Sequence, residues 1–134
     1  MLIHRAASRP TQTPPEAYFT GHVRIDPVMA APEPARHSAL IVSFDPGART
    51  AWHSHSLGQT IHILTGACLA QIDGEAIVML LPGDTAFFAP GVRHWHGAAP
   101  DVAMRHLAIQ EAQDGSTADW FEPVSDADYS GPRG

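Results

Sequence analysis

The 134-residue chain contains no lysine and no asparagine, and all 8 of its basic residues are arginine. Without lysine, a lysine Schiff base and a P-loop phosphate lysine are both excluded. The single cysteine, Cys68, excludes an intrachain disulfide and a structural zinc site built from thiolates. The lack of asparagine removes any N-glycosylation acceptor. Positive charge is scarce as well: 8 Arg against 14 Asp+Glu gives a net charge of −6. No nucleic-acid partner is expected, because phosphate backbones are bound by concentrated Lys and Arg. No apolar run approaches the roughly 18 residues that cross a bilayer, so no membrane partner is expected either. Met1 to Pro10 carries two arginines and a histidine with no apolar stretch behind them, unlike a secretory signal. The expected location is the cytoplasm.

What is abundant is histidine, with 9 residues, more than the permanent cations. Hydrophobic content of 44% and charged content of 16% fit a folded globular chain. The length suits one domain with one core. Residues 1–15, with Pro10, Pro14 and Pro15, read as an irregular arm, and Ala31-Pro32-Glu33-Pro34 as a proline-rich connection. From 38 onward the pattern becomes short strands: Ser38–Phe44, Gln59–Thr65, Ala67–Ile72, Glu75–Leu81, Thr85–Phe88, His94–Ala98 and Ala103–Gln110. Asp73-Gly74 reads as a two-residue hairpin turn, since both positions then favour positive φ. Many short strands separated by Gly/Pro turns predict an all-β sandwich or barrel. Helix is confined to one turn begun by Ser125-Asp126-Ala127-Asp128. The organisation expected is an arm with added strands over 1–37, a barrel over 38–112 and a tail over 113–134.

Side chains alternate faces along a strand, so parity decides which histidines can meet. His53 and His55 share a face, as do His94 and His96, with Trp95 turned away. His106 shares a face with Met104, Ala108 and Gln110; Gln59 shares one with Ile61 and Ile63, opposite His62. A barrel interior built from these faces holds His53, His55, Gln59, His94, His96, His106 and Gln110. Each of these groups left unsatisfied would cost ~1–3 kcal/mol. A metal ion using the imidazole lone pairs removes much of that cost. His4, His22, His37 and His62 are expected at the surface or an interface.

Spacing then points to a family. Gly47-x5-His53-x-His55-x3-Gln59-x6-Gly66 resembles the first cupin motif at every spacing, with Gln59 where glutamate is usual. Gly83-x5-Ala89-Pro90-Gly91-x2-His94-x3-Ala98 resembles the second, with Ala89 and Ala98 where Pro and Asn are typical. The resemblance implies a single-domain jelly-roll β-barrel and a divalent metal held by His53, His55, Gln59 and His94. With three neutral imidazoles and a neutral amide, the full 2+ charge stays on the site, which favours Lewis-acid work on an oxygen. Gly47–Gly66, Pro90–Ala99 and His106–Glu111, with Thr20–Pro27 and Asp119–Tyr129, further resemble the bacterial manganese-dependent cupin hydroxynitrile lyases. That resemblance implies cleavage and formation of cyanohydrins such as (R)-mandelonitrile, with manganese as the metal and iron, nickel or zinc as alternatives.

In such a reaction one group takes a hydroxyl proton and another protonates cyanide, and histidine can do either. His96 and His106 are the candidates, their roles interchangeable at this point. His96 could instead be a fifth metal ligand, and His106 a hydrogen-bond support behind the ligands. Parity offers Leu40, Val42, Thr50, Ile61 and Gln110 as the wall of a small substrate pocket. A metal-dependent dioxygenase and a non-enzymatic small-ligand binder are the competing classes. A homodimer or homotetramer is expected.

Overall fold

A computed structural model describes residues 1–134. It contains twelve strands and one helical turn: β1 (Phe19–Thr20), β2 (Val23–Ala30), β3 (His37–Phe44), β4 (Arg49–Thr50), β5 (His53–Ser54), β6 (Gln59–Thr65), β7 (Cys68–Ile72), β8 (Val78–Leu80), β9 (Thr85–Phe88), β10 (His94–Ala98), β11 (Met104–Glu111), β12 (Asp119–Trp120) and α1 (Asp126–Tyr129). Two antiparallel sheets form. One has the order β2-β3-β11-β6-β9. In the other, β10 is central. β7, followed by β8, flanks one edge of β10. The short strands β4 and β5 share its other edge and lead on to β1 and β12. This is the all-β barrel expected. No helix is long and apolar enough to cross a membrane.

Local sequence explains the elements and where they stop. On β11 burial alternates strictly, with Met104, His106, Ala108 and Gln110 inside and the residues between them turned outward. β3 and β6 bring Val42, Phe44, Ile61 and Ile63 into the same interior. Pro27 cannot donate to the ladder, and β2 slips register against β3 between Pro27 and Met29. Gly66 (φ 82°) could not be another residue: a Cβ there would lie 1.8 Å from the Ala103 carbonyl oxygen. Ser125 caps α1 by accepting from the Asp128 N–H.

The hairpin at Asp73-Gly74 is looser than the sequence suggests. Only Gly74 has positive φ, and the β7–β8 ladder begins at Ala70–Val78. β8 is correspondingly shorter than Glu75–Leu81. Gln71 and Ile72 pair with β10 instead, opposite Trp95 and His94.

Two cores result. The barrel interior packs Val23, Val42, Phe44, Ile61, Ile63, Cys68, Phe88 and Met104 among others. The Cys68 thiol is buried there and its pKa is pushed up to about 12 by desolvation. The second core lies outside the β10 sheet and comprises Trp52, Leu69, Ile77, Trp95, Ala99, Val124 and Tyr129. The C-terminal tail closes it. Buried Arg49 donates to the Val124 carbonyl and to Asp126, and its guanidinium lies 4.5 Å from the Tyr129 ring centroid. The Tyr129 hydroxyl donates to the Ala98 carbonyl at 2.7 Å.

Candidate metal centre

The barrel interior gathers the histidines by cross-strand pairing. His53 on β5 and His94 on β10 are direct Cα partners, and their rings lie 4.3 Å apart. Each ring is held on one face by an aromatic neighbour. Phe88 stacks on His94 at 3.8 Å, and Trp120 stacks on His53 at 4.7 Å. His55 follows on the same face as His53, with ring centroids 5.0 Å apart.

Hydrogen bonds to carbonyls decide which nitrogen each ring presents. His53 Nδ1 donates to the Ala51 carbonyl at 2.9 Å and His94 Nδ1 to the Val92 carbonyl at 2.9 Å. His55 Nδ1 donates to the Thr117 carbonyl at 2.5 Å. A carbonyl only accepts, so in all three rings the proton sits on Nδ1 and the lone pair on Nε2. His55 Nε2 is buried and has no partner at all. Burial is the main cause that lowers the pKa of all three, with His94 brought to about 4. They are neutral bases, the form a metal ion requires.

Gln59 supplies the oxygen. Its Oε1 lies 3.5 Å from His94 Nε2 and 3.2 Å from His96 Nε2. The donor set therefore fits a divalent cation: three imidazole lone pairs oriented by carbonyls, one of them on an otherwise orphaned nitrogen, and one amide oxygen. The tightest trio of nitrogen donors, within 4.8 Å of one another, is His53, His94 and His96. His96 differs from the other rings, because both its nitrogens have side-chain partners. Nε2 meets Gln59 and Nδ1 meets His106 Nε2 at 3.0 Å. His106 Nδ1 is buried and unpartnered. Burial lowers the pKa of His96 well below its usual value, with further lowering from His106, and burial brings His106 to about 4.

A cavity of about 310 Å³ opens onto this cluster. Leu40, Val42, Thr50 and Gln110 line it, together with His53, His55 and His96. Ile61 does not; it is fully buried in the barrel core. Parity gives its face correctly, but it lies two residues beyond Gln59 along β6, away from the opening. His106 lies behind His96 and is not on the cavity surface. His22 and His37 are exposed, and His4 and His62 are half-buried outside the site. Tyr18, Phe19, Ile25, Trp120 and the arm residues Gln12 to Pro15 also line it. None of these was expected from the sequence. Their signal is weak, since β1 and β12 are two residues long and show no periodicity. Tyr18 and Trp120 stack at 4.6 Å, so the arm and the tail meet at the mouth.

The fold and this histidine cluster define a cupin: residues 40–110 match the cupin domain family, and the chain belongs to it. Within that family the chain is 51% identical to the (R)-mandelonitrile lyase of Granulicella tundricola, over 96% of this chain and 98% of that protein. Among solved structures, a cupin-like protein from Thermotoga maritima superposes with a TM-score of 0.84 at 31% identity, covering 93% of this chain and 95% of that one. The polyketide cyclase RemF from Streptomyces resistomycificus shares the fold at 18% identity, with a TM-score of 0.74 over 96% of this chain and 90% of that one.

Proposed function

We propose that this chain is a metal-dependent lyase that cleaves cyanohydrins such as (R)-mandelonitrile to an aldehyde and hydrogen cyanide, and catalyses the reverse addition. The observation that carries the reading is a carbonyl-oriented imidazole set beside His96, at the floor of a largely apolar cavity, with His106 behind it. The full-length likeness to an (R)-mandelonitrile lyase supports the substrate class. His53, His55, Gln59 and His94 would hold the ion, for which manganese is proposed. When bound, a divalent cation lowers the pKa of a hydroxyl and stabilises the oxyanion that forms from it.

The chain's own residues handle the proton. His96 borders the cavity; with the Gln59 oxygen engaged by the ion, its Nε2 would be free to take the hydroxyl proton. Its Nδ1–H would then donate to His106 Nε2, so the second ring steadies the new charge. The carbon–carbon bond then breaks, its electrons leave with cyanide, and His96 returns the proton to it. His106 does not touch substrate and acts through His96. Thr50, on the cavity wall, accepts from the His96 backbone N–H at 3.2 Å, which leaves its own hydroxyl proton available to donate. Leu40 and Val42 give the apolar wall, which favours a neutral substrate and excludes water. Association into dimers or tetramers and a cytoplasmic location belong to the same proposal.

The test is benzaldehyde and cyanide release from mandelonitrile by manganese-loaded protein. We expect turnover that His96→Ala lowers about 10²–10⁴-fold while metal content is retained. A rate no higher than that of metal-free protein would overturn the reading.

A further inference from the structure

A carboxylate can turn either oxygen to a metal, but an amide cannot. The Gln59 side chain offers one oxygen and one NH2, and the wrong rotation points two N–H donors at the cation. Something must therefore fix its polarity. Ser38, Gln110 and Gln59 are direct cross-strand partners on the adjacent strands β3, β11 and β6. Gln59 Nε2 donates to Gln110 Oε1 at 3.2 Å. Gln110 Nε2 donates to Ser38 Oγ at 2.8 Å and to the Ser38 backbone carbonyl at 3.3 Å.

The order of these bonds has one solution. The Ser38 carbonyl only accepts, so the NH2 of Gln110 must face it. The oxygen of Gln110 is then left for Gln59, whose NH2 must turn to meet it. The oxygen of Gln59 consequently points at His94 and His96. Gln59 and Gln110 are both buried, and Ser38 and Gln110 also border the cavity.

We infer that Ser38 and Gln110 form an amide relay that sets the polarity of Gln59 and so holds its oxygen toward the metal. They are positioning residues, and the inference rests on the proposed role of Gln59 as a ligand. The relay is needed because this chain carries glutamine, and a carboxylate at position 59 would make it redundant.

The test is a double-mutant cycle read as affinity for Mn2+ and for Zn2+, by chelator competition on the full chain. Gln110→Met keeps the volume and removes the amide; we expect affinity to fall about 10–100-fold, the range typical of groups that orient metal ligands. Ser38→Ala keeps the backbone acceptor and should lose only a few-fold. In a Gln59→Glu background, Gln110→Met should change affinity less than twofold. Equal losses in both backgrounds, or no loss in the native one, overturn the relay. Gln59→Leu separates the two levels: unchanged affinity there refutes the ligand assignment itself. Thermal midpoints of the metal-free variants identify any that are not folded, and for those Ser38→Ala, which leaves the core volume nearly unchanged, carries the comparison.

Discussion

Strand β10 presents two different interiors. On one face His94 and His96 enter the barrel, where polar and aromatic side chains surround them and burial lowers their pKa values. On the other, Trp95 is fully buried among Trp52, Leu69, Ile77 and Tyr129, and its indole N–H donates to Gln71 at 2.8 Å. Both faces are buried but differ in what burial does. Around Trp95 it stabilises the fold, since a large apolar ring leaves water with its one polar group satisfied. Around the histidines it destabilises the metal-free protein, since groups that would titrate near neutrality are kept from protonating. The outer face of β10 therefore serves stability alone, whereas its inner face also carries the candidate site.

The largest effect that could break this division is Trp95→Ala. We expect a loss of about 3–5 kcal/mol, measured by denaturant titration, with metal content per folded chain retained. His94→Ala, one residue away, should instead abolish metal retention, with a smaller loss of metal-free stability than Trp95→Ala. Equal stability losses in both variants would contradict the separation.

Acid sharpens it further. A histidine with a folded-state pKa below its unfolded value contributes stability that is present above about 6.5 and lost as pH falls toward the folded value. For His106 that window runs from about 6.5 down to about 4. Metal-free protein should lose roughly 3 kcal/mol across it on account of this residue. His106→Leu should flatten that part of the pH–stability curve, and an unchanged curve would show that the ring does not titrate on unfolding as argued. The smallest effect belongs to the tail. Tyr129→Phe removes only the bond to the Ala98 carbonyl and should cost about 1 kcal/mol, with no change in metal affinity.

Strand alternation is a local constraint, which is why His53, His55, Gln59, His94, His96, His106 and Gln110 could all be read from the sequence as sharing an interior. Parity reports a face but not a depth, so Ile61, on the correct face, lies in the core and not at the opening. Trp95 was legible as turned away, but its burial depends on Val124 and Tyr129, some thirty residues further along. The cavity mouth was not legible. Tyr18 and Trp120 reach it from segments a hundred residues apart, each held by one short pairing, to β4 and β5 respectively. The exchange of His96 with His55 in the tightest donor trio is equally a matter of three-dimensional distance, since both histidines satisfy the same alternation.

The buried Cys68 thiol has a consequence for durability. An aldehyde of the kind the proposed reaction would release is an electrophile that side-chain amines and thiolates ordinarily consume. This chain has no lysine, and its one thiol is enclosed and kept protonated. The side chains that would ordinarily form imines or hemithioacetals are absent or out of reach, so the barrel can sit in concentrated carbonyl compounds without being covalently modified at them.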